Sequence, residues 1–121
     1  MSTEIIKSDR RFQLWNYTVS HCSLLLRSTK SDGFRTRIDV LFKGVCEFHL
    51  PTSFTGLSIA EASEADAQKL CSLRQSLSLG KDRKVFKVQG VDFVGYVAAL
   101  IAVYHEDAGE YNDPSFFDPK P

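Results

Sequence analysis

Chemistry in this chain would have to come from three histidines, three cysteines, paired carboxylates or a small aromatic group. His21, His49 and His105 are potential metal ligands, with Asp39, Glu47, Glu106 and Asp107 as oxygen donors. Metal sites usually draw two ligands from one element, through pairs such as HxH, HxxxH or CxxC, because a single element then holds both in place. The chain contains no such pair, so neither a metal nor another cofactor is expected. Nucleophilic chemistry is no better supported. Cys22 follows His21, but neighbours on a strand point to opposite faces and cannot share a proton. Ser20 and Ser23 lack the GxSxG setting, and Gly33, Gly90 and Gly95 match no phosphate-binding spacing. Asp39 and Glu47 would lie about 26 Å apart on an unbroken strand, too far for an acid and base pair. No catalytic residue emerges, and the chain reads as non-enzymatic.

Trp15, Tyr17, Tyr96 and Tyr104 remain, with His21 and His105 near them in sequence. Such a set either lines a small-molecule pocket or builds a core or an interface. These six are the candidate binding residues.

The elements that must position them are organised around one stretch, Phe34 to Leu50. Its even positions include Phe34, Ile38, Val40, Phe42, Cys46 and Phe48, while its odd ones include Arg35, Arg37, Asp39, Lys43, Glu47 and His49. A two-residue period of this kind marks a half-buried strand. A straight strand of that length would span roughly 55 Å, whereas a chain of this size has a diameter near ~35 Å. The stretch must therefore bend at Gly44 or turn back as a hairpin over Lys43 to Val45. The bend is favoured, because a hairpin would place the glycine in mid-loop rather than at the last position, where left-handed geometry is needed. On either reading Arg35, Arg37 and Asp39 share a solvent-exposed face.

Around this strand the rest follows in order. Met1 to Arg10 is a polar leader. The odd face of Trp15, Tyr17 and Val19 gives way to the even face of Cys22, Leu24 and Leu26, so a bulge or tight connection is placed at Ser20 and His21. Ser28 to Gly33 is a turn cluster, which pairs 23–29 with 34–42. Thr52 to Gly56 reads as a loop, and Leu57 to Glu61 as a brief strand. Ser63 and Asp66 imitate a capping box, and Ala67, Leu70, Leu73 and Leu77 recur at helical spacing before Gly80, predicting a helix over Ser63 to Leu77. Val85 to Val88 is a strand. Val91 to His105 is apolar in both parities; its β-branched and aromatic residues favour a central strand, although its alanines would suit a buried helix. The expected fold is a single α+β domain, residues 1–121, with one strongly curved antiparallel sheet of five to six strands and one helix packed on it.

Composition narrows the class. Net charge is zero, with +3 in residues 1–60 and −3 in 61–121, which argues against a nucleic-acid binder. It suits a chain whose ends attract each other or those of a second copy. Three cysteines without close pairing suit a reducing compartment. No apolar leader and no run of about 18 apolar residues is present, so no membrane is expected and the predicted location is cytoplasmic. The acidic tail 106–121 carries Tyr111, Phe116 and Phe117, and is expected to pack on its own domain or on a second copy.

The phrases WNYTVSHCSLLLRS, RIDVLFKGVCEFHLP and GYVAALIAVYHED resemble those of small uncharacterised bacterial α+β proteins, among them immunity-like proteins of toxin systems. The resemblance covers the two sheet-rich thirds of the chain, and residues 63–77 have no counterpart in it. It implies a non-enzymatic protein-binding role and carries over no catalytic residue. The expected function is thus a non-catalytic protein-binding domain, with a homodimer or a neutralised protein as partner. The alternative is a small-molecule-binding or enzymatic fold whose curved sheet encloses the aromatic group.

Overall fold

The alternating run bends at Gly44 and does not turn back as a hairpin. Strand β3 (Arg37–Lys43) ends where Gly44 adopts a φ of +69°, and β4 (Glu47–His49) resumes in the same chain direction. The computed structural model describes residues 3–30, 33–63, 65, 84–110, 115 and 117. The other strands are β1 (Thr3–Thr18), β2 (Ser23–Ser28), β5 (Ser53–Glu61), β6 (Lys84–Gln89), β7 (Val94–Ala99) and β8 (Ile101–Asp107). All eight belong to one antiparallel sheet in the order β4-β7-β6-β5-β1-β2-β3-β8.

The two ends of that order are not open edges of a flat sheet. β4 continues β3, and β8 continues β7 through Leu100 alone. β3 pairs with β8 from Arg37↔Asp107 to Lys43↔Ile101, and β4 pairs with β7 from Glu47↔Ala98 to His49↔Tyr96. Leu100 N–H to Lys43 O (2.8 Å) and Cys46 N–H to Ala98 O (3.0 Å) carry the ladder across the bend. The sheet thus returns on itself as a barrel. Two of its staves are the bent runs 37–49 and 94–107, and the other four are β1, β2, β5 and β6. Phe42 of β3 and Phe86 of β6, far apart in the strand order, meet across the interior with ring centroids 5.9 Å apart.

Closure needs curvature, and β1 supplies much of it. Its register slips between Glu4 and Ile6 and between Ser8 and Arg11 against β5, and between Leu14 and Asn16 against β2. Each irregularity adds twist and bends the 16-residue strand around the core. A one-turn 3-10 helix, Val19–His21, and the left-handed Cys22 (φ 50°) then reverse the chain into β2. The interior is one cluster drawn from β1, β2, β3, β5, β6 and β7, with Phe12, Phe42, Val40, Ile59, Val88 and Val97 fully buried. A barrel this narrow is filled by its own side chains.

The expectation of an α+β fold is corrected. The sheet has eight strands where five to six were expected, and no α-helix packs on it among the described residues. The predicted helix over Ser63 to Leu77 lies outside the described residues apart from Ser63 and Ala65. Long-range strand pairing, which local helical spacing does not reveal, organises the described residues into one sheet. Three smaller expectations also change. The polar leader is, from Thr3, part of β1; the loop at Thr52 to Gly56 is mostly strand; and the single strand over Val91 to His105 is split at Leu100 into a buried β7 and a half-exposed β8.

No helix among the described residues is long and apolar enough to cross a membrane.

Candidate functional site

The outer face of β1, β2, β3 and β8 holds most of the buried polar chemistry of the barrel. Strand alternation sends Leu24 and Leu26 inward, so Leu25 and Arg27 point outward, as do Arg37, Asp39 and Leu41 on β3. All five of these outward residues are nevertheless buried. The exposed face expected for Arg37 and Asp39 is therefore a covered one. Arg35 is exposed.

Arg27 and Asp39 are cross-strand partners joined by two hydrogen bonds, Nε to Oδ1 at 2.7 Å and Nη2 to Oδ2 at 3.0 Å. Trp15 lies at the register slip of β1, and the Arg27 guanidinium stacks over its ring, 4.7 Å from the centroid. One row along, Arg37 donates from Nε to Asp107 Oδ1 at 2.7 Å and from Nη1 to the Glu110 carbonyl at 3.1 Å. The hydrogen bond from Arg37 is the largest influence holding the Asp107 carboxyl below the usual carboxylate range; burial opposes it, and the Gly109 N–H and the charges of Arg37 and His105 reinforce it. Lys30 reaches Glu110 at 2.8 Å. Attraction between the basic head and the acidic tail is thus satisfied within one chain at these positions.

Beyond the charged rows the same face opens into a groove of about 390 Å³. Leu25 and Leu41, 4% and 6% exposed, are its apolar floor. Asn16, Thr18, Ser23 and Phe117 also line it, together with the exposed Lys43 and His21. Phe117 also meets the His105 ring edge-on, with centroids 6.3 Å apart. Exposed apolar side chains extend the surface on both sides of the groove: Val19 (77% exposed) beside Thr18, and Ile101 (46%) directly across from Lys43.

The six candidate residues do not gather in one pocket. Trp15 lies on the covered outer face with Arg27, His105 on the same face beside Phe117, and His21 in the groove lining, its Nδ1 2.9 Å from Ser20 Oγ. Tyr17 is at the mouth of the barrel, 5.7 Å from the Phe48 ring. Partial burial, then the adjacent Cys22 thiol and Cys46, push its hydroxyl above the ordinary tyrosine range. Tyr96 packs on His49 and donates a hydrogen bond to Glu47 on β4. Tyr104, 53% exposed, lines a separate slot between β1 and β8 with Ile6, Arg10 and Glu106. The three histidines occupy three different elements, and among the described residues no three His, Cys, Asp or Glu side chains come together as a metal site would require. Cys71 lies outside the described residues.

Sequence reasoning missed Leu25, Leu41, Lys43 and Phe117 as a group. Leu25 and Leu41 stand on what the alternation marks as the outer face, and that mismatch was their signal.

No protein-family model, no curated protein and no solved structure matches the chain.

Proposed function

We propose that the protein is a non-catalytic binding domain whose partner, another protein, seats on the outer face of β1, β2, β3 and β8. The observation that carries this reading is the groove floored by Leu25 and Leu41, flanked by the exposed Val19 and Ile101. Apolar side chains left in water on both sides of an apolar cleft widen the surface beyond the reach of a small ligand, as at protein interfaces. The barrel interior is occupied by its own phenylalanines, so a ligand would have to bind outside. A small molecule in the groove is the second reading, favoured by a volume in the range of ligand pockets.

Affinity capture from the native host tests the first reading. The intact chain and the distant control Asp92→Lys are expected to retain a common protein that Thr18→Arg and Lys43→Glu lose. Capture indifferent to the groove substitutions, or no retained protein, would overturn it, and a groove that takes up only small metabolites would select the second reading.

A further inference from the structure

The groove has a chemical polarity that narrows its partner. Among the described residues that line it none carries a carboxylate, while the exposed Lys43 and His21 both belong to its lining. The adjoining half of the same face shows what such a surface accepts. There Arg37 and Lys30 hold Asp107 and Glu110, and a few residues further along the same acidic run Phe117 is itself part of the groove lining. An acidic segment carrying a bulky apolar side chain is the chemistry that this face already receives from its own chain.

Resting on the reading of the face as a protein-docking surface, we infer that the groove binds an acidic segment of the partner. One large aliphatic or aromatic side chain of that segment enters over Leu25 and Leu41, and a flanking aspartate or glutamate pairs with Lys43. Burial of the apolar side chain supplies most of the affinity, because removing a Leu or Phe from water outweighs a partly exposed ion pair. The Lys43 charge sets the sign of the partner, since a partly exposed ion pair adds little affinity but a like charge at the same place repels.

Three terminally blocked hexapeptides test the inference on the intact, isotope-labelled chain: Leu-Phe between two pairs of glutamates, Leu-Phe between two pairs of lysines, and Gly-Gly between two pairs of glutamates. The glutamate-flanked Leu-Phe peptide is expected to shift the amide signals of Thr18, Ser23 and Lys43. It should bind about fivefold more tightly than the lysine-flanked peptide, and more tightly still than the glycine peptide. Added salt should shrink the first difference and leave the second. In Lys43→Glu, whose amide spectrum reports whether it is folded, the preference between the two charged peptides should reverse.

Equal or tighter binding of the lysine-flanked peptide at the same amides would overturn the acidic class while leaving the docking face in place. Silence of those amides toward all three peptides would also overturn it. In that case host capture that still depends on Lys43 would keep the docking face, and capture indifferent to Lys43 would remove both.

Discussion

Arg27 and Asp39 face each other across β2 and β3 as an almost fully buried, doubly hydrogen-bonded ion pair, with 2% and 1% of their side chains exposed. Burying two charges is costly, and their attraction repays it only while both are present and their hydrogen-bonding groups are satisfied. Each residue is therefore a severe liability without the other. Arg27→Met or Asp39→Leu alone is expected to cost about 3–5 kcal/mol in urea unfolding, whereas the double substitution should cost less than either single one. Additive losses would show that the two side chains do not depend on each other.

This pair also marks where sequence reasoning reaches its limit. Alternation from Phe34 to Leu50 is visible because it is local, and so is the need for a bend, which Gly44 provides. Burial of Arg37 and Asp39 is not local. Arg37 is covered by Asp107 and Glu110 at the end of β8 and beyond it, and Asp39 is paired with Arg27 under Trp15; no period within β3 encodes either. Closure was equally hidden. The apolar run Val91 to His105 reads alike in both parities because β7 is buried from Gly95 to Ala99, while β8 beyond Leu100 faces a different neighbour. The phase change before Cys22 was legible as a turn, but the register slip at Trp15, which aims that ring at Arg27, was not.

Glycines provide a graded test of the two bent staves, with Gly33, in the turn before β3, as the reference. A Cβ on Gly33 (φ +85°) would meet nothing within 4 Å, so Gly33→Ala should cost only the left-handed strain, about 1–2 kcal/mol. Gly44 has a φ of +69°, and a Cβ there would come within 2.5 Å of Leu100 Cγ and Cδ1. Gly44→Ala should add an overpacking cost of about 1–3 kcal/mol to the same strain, and Leu100→Ala in the same chain should relieve most of that added part but not the strain, because only the Leu100 Cβ, at 3.0 Å, then remains close. At Gly95 the Cβ would collide with the His49 carbonyl, a backbone atom that cannot step aside. Gly95→Ala should therefore separate β4 from β7 and be the most damaging of the three in thermal melts.

The Asp107 carboxyl gives a pH signature. Arg37 lowers its pKa in the folded chain, so the folded form holds this proton less tightly than the unfolded form. The resulting stabilisation is present above the unfolded carboxylate value, near pH 4, and is lost as pH falls through the folded value. Asp107→Asn should be less stable than the parent by a constant amount at neutral pH. The gap should close on acidification below about pH 4. A gap that stays constant down to the lowest pH at which both fold would show that the carboxylate charge contributes nothing.

The seam between β1 and β8 should be the first part of the barrel to open. Among the described residues β8 pairs with β3 alone, and its approach to β1 is bridged by the Arg10 side chain. Arg10 Nη1 donates to the Thr36 carbonyl at 2.9 Å, and Nη2 donates to Thr36 Oγ1 at 3.0 Å and to Glu106 Oε2 at 3.3 Å. Its guanidinium also lies over the Phe34 ring, 4.2 Å from the centroid. Glu106 is half exposed, so water screens that arm, and the two bonds to Thr36 should carry most of the effect. Arg10→Ala is then expected to cost about 1.5–3 kcal/mol, and Arg10→Lys to restore less than half, because an ammonium cannot reproduce the fork. Hydrogen exchange separates local opening from general loss of stability. In Arg10→Ala the amides of β8 should lose more protection than those of β2 or β5, which have strands on both sides. A uniform loss across all strands would mean that Arg10 stabilises the whole barrel and does not act as the tie across this seam.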